Sequence, residues 1–586
     1  MKRNILNMSA ALLLSATTLS SCSDFLEIEP QNIVTIDQFW NEESDVESVV
    51  NGCYSAMQSY GMIARMMIWG EFRSENIVSY ANTIESDVNL ERILDENITA
   101  NNSYTDWTEF YQVINRCNII IERAPLVAEN DPAYTSSEMY AHIAEATAIR
   151  SLCYFYLIRT FRDVPYTEEA FLDDNQKLDL EPTPFEEVLA KLISSLEAVK
   201  DYAVTKYPES TGYARYYDTG RITRTAIYAM LCEMYLWQND YANCIKYADL
   251  VIDRKLEEAE QSEDFFTSDF SDFNGYPLIS SRLNNMSTYF GAAFNSIFVT
   301  GNSSESILEL TFVGTDGTTL SNGPVSNFYG NNGRSPFCKG SDYISEDVTA
   351  ATPVVFNNKY DGRAYENFFY QGGEVLCINK YSNSTGVNLY DPSVSNSFFK
   401  NSAWGTFYDT YGSGYDSRNK SNFILYRLTD IMLLKAEALT QQISDEAVLN
   451  EDDLVLRDQA FSLVNAVNKR SLYQTTLKDT LVMSNYATKL DITNLVYDER
   501  ERELMFEGKR YYDLVRRARR EGNTSYLKSK VKLKSTDNAS VIENQFEKMD
   551  RMYWPYNLDE TKVNKNLKQN SAFSSGENSS YSKTAN

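Results

Sequence analysis

Residues 221–252, RITRTAIYAMLCEMYLWQNDYANCIKYADLVI, carry the clearest structural signal in the sequence. Apolar residues recur at spacings of three and four, the pattern of one face of an α-helix, on either side of a polar break at Gln238-Asn239-Asp240. The two stripes are Ile227, Leu231 and Met234 before the break, and Tyr241, Ile245, Ala248 and Ile252 after it. We predict a helical hairpin of about 34 residues, the length of a tetratricopeptide unit.

The same pattern recurs towards both ends of the chain. A second hairpin is predicted at 426–470, and further helices at about 43–60, 106–124, 137–162 and 184–202. Hairpins of this kind cannot bury their apolar faces alone and must stack on one another. We therefore predict a mainly α fold, in which a tetratricopeptide-like scaffold of helical hairpins is assembled from both halves of the sequence.

The composition and the hydrophobic pattern of the sequence change between residues 256 and 425. Ser, Asn, Gly and aromatic residues replace the periodic apolar pattern, as in SNGPVSNFYGNNGRSPF, residues 321–337. A structureless loop of this length inside a compact domain is improbable. We expect an irregular, loop-rich subdomain with short strands such as ESILELTF, residues 305–312, and a polar tail from 574 that frays.

The N-terminus has the features of a secretory signal peptide. Lys2 and Arg3 precede an apolar run too short to cross a membrane, and small residues follow it. Leu19-Ser20-Ser21-Cys22 resembles the lipobox of bacterial lipoproteins, which predicts removal of residues 1–21 and acylation of Cys22. Two or three acyl chains anchor a protein stably to a membrane. The alternative is an ordinary signal peptide with a nearby thiol.

Composition excludes several classes of function. The formal net charge of −28 repels nucleic acid, and 43% hydrophobic residues over 586 positions suffice for a large core. No two of the seven cysteines after Cys22 are spaced as C-x-x-C, so buried free thiols are expected rather than a zinc site or a disulfide framework. His142 is the only histidine and lies in a helical pattern, which favours a structural role. We expect no metal and no cofactor.

Several stretches together resemble one family, the SusD/RagB-like outer-membrane nutrient-binding lipoproteins. SCSDFLEIEP followed by TIDQFWNEESDVESVVNGCYSAM resembles its N-terminal pattern, and AEATAIRSLCYFYLIRTFRDVP its alanine-rich helix, with Arg162 where the family usually has glycine. VYDERERELMFEGKRYYDLVRRAR, residues 496–519, resembles its C-terminal signature, and MYWPYNLDE its closing segment. The resemblance covers most of the chain outside 256–425.

This resemblance implies about four tetratricopeptide-like units carrying an irregular face. It implies a cell-surface lipoprotein on the outer membrane, facing the exterior, that captures an oligosaccharide or other nutrient without catalysis. The implied partner is a SusC-like TonB-dependent barrel. Asp24 and Glu27 resemble the acidic export signal of such lipoproteins, although solvation of a flexible tether explains them as well. The expected organisation is a signal peptide at 1–21, a tether at 22–42, helical parts at 43–255 and 426–573, the ligand-binding subdomain at 256–425 and a polar tail at 574–586.

A saccharide site requires flat aromatic side chains under the sugar ring and polar side chains at its edge. Loop aromatics are better candidates than those in helical patterns, where Trp107 is expected to be core. The ligand-binding candidates are Trp69, Arg73, Glu75, Asn76 and Tyr80 in the first loop, with Tyr289, Phe290 and Tyr329 in the irregular region. For each of them, structural support of a loop is an equally good interpretation.

The C-terminal signature also has an interpretation from spacing alone. Arg500, Glu503, Glu507 and Arg510 interleave at three- and four-residue spacings, which predicts ion pairs across helical turns, each worth about 0.2–0.5 kcal/mol when exposed. Glu499 and Glu503 are predicted to form salt bridges rather than the acid/base pair of a glycosidase. A surface glycosidase and a tetratricopeptide scaffold for protein partners remain the alternative functions.

Overall fold

The structure is a computed structural model of the chain. It describes residues 39–80, 87–172, 176, 179–208, 218–260, 270–280, 292–312, 321–330, 336–344, 355–356, 361–371, 375–381, 421–446, 448–472, 481–535 and 537–573. The predictions for the signal peptide, Cys22, Tyr289, Phe290 and the tail lie outside these residues.

The described residues are mainly helical, as predicted. In chain order the helices are α1 Glu43–Met57, α2 Tyr60–Met67, α3 Val88–Leu94, α4 Thr108–Asn130, α5 Ser136–Phe161, α6 Phe185–Val199, α7 Arg224–Trp237, α8 Tyr241–Glu260, α9 Ala292–Phe294, α10 Gly323–Tyr329, α11 Arg363–Glu366, α12 Leu428–Gln442, α13 Glu451–Ser471, α14 Lys489–Leu504, α15 Arg510–Glu521, α16 Ser525–Val531, α17 Ala539–Gln545 and α18 Leu558–Val563. Within this part of the chain no helix is both long and apolar enough to cross a bilayer.

Short antiparallel strand pairs connect segments that are distant in sequence. The strands are β1 Ile77–Ser79, β2 Val164–Pro165, β3 Pro182–Thr183, β4 Ser306–Leu310, β5 Cys338–Gly340, β6 Phe368–Gln371, β7 Val375–Ile378 and β8 Phe423–Arg427. They pair as β1 with β5, β2 with β3, β4 with β8, and β6 with β7. The strand predicted within 305–312 is therefore present as β4, and its partner β8 leads directly into α12.

The predicted hairpins form and stack across the two halves of the sequence. Asn239, at a φ of 64°, makes the turn between α7 and α8 at the predicted polar break. Helix α8 then packs on α12, where Lys435 Nζ lies 2.5 Å from Asp249 Oδ1. Helix α12 in turn pairs with α13, the second predicted hairpin. The scaffold of hairpins from both halves is confirmed, whereas its tetratricopeptide type stays a prediction.

Helix α5 lies at the centre of the N-terminal half. It begins at a capping box in which Thr135 and Glu138 satisfy each other's backbone N–H groups. From Ala144 to Phe161 every residue is buried, because α5 packs against both α4 and α6. Trp107, at the start of α4, is 3% exposed, which confirms the prediction that it is core.

The histidine and the described cysteines are structural, as expected. Six thiols are free and buried in the part of the chain that the structure describes: Cys53, Cys117, Cys153, Cys232, Cys244 and Cys338. His142 is 8% exposed, and its ring lies 2.8 Å from the hydroxyl of Tyr134 and 3.0 Å from Glu47. These contacts join α5 to α1 and to the turn before α5.

The C-terminal signature differs from the predicted continuous helical stretch. Helix α14 ends at Leu504 and α15 begins at Arg510, with Phe506 and Gly508 at positive φ between them. The predicted ion pairs across helical turns among its four charged residues do not form; these residues are buried and pair mainly with other elements. Those residues are Arg500, Glu503, Glu507 and Arg510.

Candidate functional site

The break between α14 and α15 rests on the segment after α2, and we call this contact the glycine joint, residues 66–76 against 504–512. Gly508, at a φ of 74°, brings its backbone against Met66 and Gly70. The Glu71 carboxylate accepts hydrogen bonds from the backbone N–H groups of Phe506, Lys509 and Arg510 at 3.1–3.4 Å. Burial raises the pKa of Glu71 to about 7, and these hydrogen bonds oppose the rise.

The glycine joint explains where the predicted ligand-binding side chains lie. Trp69 is fully buried, donates its indole N–H to the carbonyl of Tyr104 at 2.9 Å and stacks on Phe110. Arg73 is equally buried and donates to Glu96 at 2.8 Å. Neither side chain is available to a ligand in this structure, so the prediction that they contact one is wrong.

The same correction applies to three more of the predicted ligand contacts. Glu75 is buried and accepts from Arg510 at 2.6 Å, so it anchors the C-terminal signature. Asn76 is buried beside Glu71. Tyr329 is buried and donates its hydroxyl to the carbonyl of Phe506 at 3.0 Å. These side chains hold the two halves of the chain together rather than a ligand.

A buried charge cluster fixes the irregular region to the scaffold. Glu503 of α14 receives Arg427 from the end of β8 at 2.6 Å, Arg363 from α11 at 3.0 Å, and Arg470 from α13. Burial alone would raise the pKa of Glu503, but the three arginines outweigh it and hold that pKa well below its ordinary range. The predicted structural role of Glu499 is also confirmed, because it pairs with Arg363 at 2.7 Å.

The loops on the glycine joint present an aromatic patch, which we define as Tyr60, Tyr80, Tyr104, Asn327 and Phe337. The strand pair β1–β5 holds it together: the N–H of Tyr80 donates to the carbonyl of Phe337, and the N–H of Phe337 to the carbonyl of Asn327, both at 2.9 Å. The side chain of Asn327 donates to the hydroxyl of Tyr60 at 2.8 Å. The described parts of these two regions, residues 69–80 and 326–330, therefore do come together, as the binding hypothesis requires.

The patch has the chemistry of a shallow saccharide site. Tyr60 is 46% exposed, and the other four side chains are half-buried. Tyr104 donates its hydroxyl to Asp87 at 2.7 Å, so a carboxylate borders the aromatic rings. Aromatic faces beside amide and carboxylate groups match the C–H face and the hydroxyl rim of a sugar. Of the predicted residues, Tyr80 alone among those that the structure describes belongs to this surface.

Sequence patterns miss most of this patch. Tyr60 starts α2 and Tyr104 lies in a short 3-10 turn, so in the sequence both resemble aromatics that pack in a core. Phe337 follows the stretch around Tyr329 without any local signal of its own. Strand pairing brings it to Tyr80, and no local pattern encodes that pairing. Across the described residues, no group of three or more His, Cys, Asp or Glu side chains is arranged to hold a metal ion.

Comparison with known proteins identifies the family to which this architecture belongs. Residues 291–573 match the model described as the SusD family, and residues 24–236 match a second one described as "Starch-binding associating with outer membrane". Together these two matches span most of the sequence. The chain belongs to the SusD/RagB-like family. A SusD-like protein of Formosa agariphila is 25% identical over 530 residues, which are 87% of this chain and 91% of that protein.

Solved structures of SusD relatives share the fold. A SusD superfamily protein from Bacteroides vulgatus has a TM-score of 0.62 at 17% identity, over 91% of this chain and all of its own. Surface glycan-binding protein A from Bacteroides uniformis has a TM-score of 0.59 at 18% identity, over 90% and 99% of the two chains. Identities this low establish the shared fold alone, so the ligand has to be argued from the site.

Proposed function

We propose that this SusD-family chain is a non-catalytic, cell-surface lipoprotein that captures an oligosaccharide and delivers it to a SusC-like TonB-dependent transporter of the outer membrane. The observation that supports oligosaccharide capture is the aromatic patch, in which aromatic rings are bordered by Asn327 and Asp87. The family descriptions, one of which names starch binding and association with the outer membrane, support the ligand class and the location.

The ligand binds the patch by stacking and rim hydrogen bonds rather than by enclosure. Tyr60 supplies the most exposed ring, and Asn327 holds its hydroxyl in place. Recognition of this kind suits a protein that must release its cargo, because shallow sites bind through shape and few polar contacts. Tyr289 and Phe290, which lie outside the described residues, stay predicted contacts.

Calorimetry against a panel of soluble oligosaccharides tests this function. We expect at least one glycan to bind, and Tyr60→Ala to weaken its binding about tenfold because a stacking ring is lost. Tyr202→Ala is the matched control, since Tyr202 is 53% exposed and stacks on Tyr140 instead. Equal losses in both variants, or no binding across the panel, would contradict the proposal. Release of shorter sugars from the ligand would favour the glycosidase instead.

Anchoring and partnership need separate experiments. Metabolic labelling with palmitate should label the wild-type protein and leave Cys22→Ser unlabelled. Affinity purification from the outer membrane of the native host should recover a TonB-dependent barrel with the wild-type protein. Absence of the palmitate label would refute the lipid anchor, and absence of the barrel would refute the transporter partnership. Neither result would bear on glycan binding.

A further inference from the structure

A cavity of about 410 Å³ lies away from the aromatic patch, between the start of α6, the ends of α7 and α15, and residues 549–553. We call it the arginine cavity. Four arginines line it, Arg162, Arg516, Arg519 and Arg520, although the chain as a whole carries a formal charge of −28. All four arginines are also ion-paired, so their charge alone does not define what the cavity binds.

Two buried hydrogen-bond donors on residues that line this cavity lack an acceptor among the described residues. They are the indole Nε1 of Trp237 and the Nη1 of Arg516. Trp237 is 4% exposed and Arg516 is 2% exposed, so bulk water does not reach either side chain freely. Burying an N–H donor without an acceptor is unfavourable, and a bound acceptor at this place removes that cost.

The backbone at Arg162 is a second, independent observation. Arg162 follows α5 with φ and ψ of 71° and −79°, a conformation that glycine adopts readily and residues with a Cβ atom adopt rarely. Its side chain is 42% exposed, and Arg162 lines both the arginine cavity and a neighbouring cavity of about 610 Å³. An arginine held in a strained conformation at the mouth of a cavity indicates that its side chain has a role there.

The surrounding carboxylates restrict the charge of the ligand. Glu437 pairs with Arg516 at 2.5 Å and with Arg520 at 2.7 Å, and Asp513 also pairs with Arg516. At the mouth, Arg162 pairs with Asp163 and Asp550. Arg519 pairs there with Glu186. Because these five carboxylates outnumber the four arginines, the cavity carries no excess positive charge, and a dianion meets more repulsion there than a monoanion.

We propose that the arginine cavity binds the carboxylate group of a small organic acid, as a site separate from the aromatic patch. The two carboxylate oxygens accept hydrogen bonds from Trp237 Nε1 and Arg516 Nη1, and Arg162 adds its charge at the mouth. Both nitrogens are covered in this structure, so entry requires the exposed side chains at the mouth to move. The exposed side chains of the lining include Glu186, which is 77% exposed, and Arg162, which is 42% exposed.

Titration calorimetry of the purified chain with four probes tests the chemistry: sodium acetate, sodium D-glucuronate, D-glucose and sodium phosphate. We expect acetate or glucuronate to bind, glucose not to bind, and phosphate to bind more weakly than the carboxylates. Glucuronate binding far tighter than acetate assigns the site to acidic sugars, and equal binding assigns it to simple carboxylates. Absence of binding by both carboxylates, or equal binding of glucose and glucuronate, overturns the proposal.

Two variants link that binding to this cavity. Arg162→Gly relieves the backbone strain and removes the guanidinium, so we expect an unfolding temperature at or above that of the wild type and carboxylate binding weaker by about three- to tenfold. Trp237→Phe removes one donor and should weaken binding about tenfold. Arg457→Ala, which removes an arginine paired with Asp458 on α13, is the control for net charge. Wild-type carboxylate affinity in both cavity variants places the binding elsewhere and refutes the proposal.

Discussion

Because Gly70 and Gly508 are so close in the glycine joint, we predict that adding a single methyl group at Gly70 weakens the contact between the two segments and destabilises the fold. A Cβ atom there would lie well inside the contact distance of the Gly508 carbonyl oxygen and 2.5 Å from its carbonyl carbon. Both are backbone atoms, so no side-chain rotation relieves the clash. Overpacking of this kind costs about 1–3 kcal/mol. Displacement also strains the three backbone hydrogen bonds to Glu71, each worth about 0.5–1.5 kcal/mol.

We therefore expect Gly70→Ala to lower the free energy of unfolding by about 3 kcal/mol. Urea unfolding followed by far-UV circular dichroism measures it. Gly52→Ala is the matched control: Gly52 lies within α1, and a Cβ atom added there would meet nothing within 4 Å, so alanine should stabilise the protein by about 0.5–1 kcal/mol. An unfolding midpoint for Gly70→Ala equal to that of the wild type would refute the close approach on which our view of residues 66–76 depends.

The buried charges give three further predictions. Glu503→Gln should lower the free energy of unfolding by about 3–5 kcal/mol, because it leaves buried arginines without a balancing negative charge. In the same urea assay, Glu451→Gln on an exposed turn of α13 should change this free energy little. Burial opposes ionisation of Asp430, but neighbouring cations outweigh burial and lower its pKa from 3.8 to about 2. About 2 kcal/mol of folding stability should therefore be lost as the pH falls from 3.8 to about 2. A urea unfolding midpoint that stays constant over this pH range contradicts the prediction. Burial raises the pKa of Glu366 from 4.5 to about 8, so its contribution to stability declines as the pH rises from about 5 to about 8, and Glu366→Gln should flatten that decline in thermal unfolding curves.

The helices and their hairpins could be predicted from sequence because their signal is local. The stripes around Gln238-Asn239-Asp240 repeat within a few turns of helix, and the turn forms where the polar residues interrupt them. The ligand contacts could not be predicted in the same way. Glu75 and Arg510 are 435 residues apart, and the spacing of Arg510 from Glu507 or Glu503 is the same in an exposed helix and in a buried joint. The run MMIWGEF, residues 66–72, carried the one signal that was available, since an apolar stretch with a central glycine favours a close backbone approach over an exposed loop.

The buried charges also explain how the irregular region is held on the helical scaffold. Arg363, Arg427 and Arg470 come from three elements that are far apart in sequence and meet on Glu503. An apolar joint would tolerate a shift of register, but here a shift leaves a buried arginine without its carboxylate at a cost of about 3–5 kcal/mol. We infer that the cluster selects one arrangement of β8, α11 and α13 around α14. The loops between these elements can then change in sequence without moving the elements that they connect.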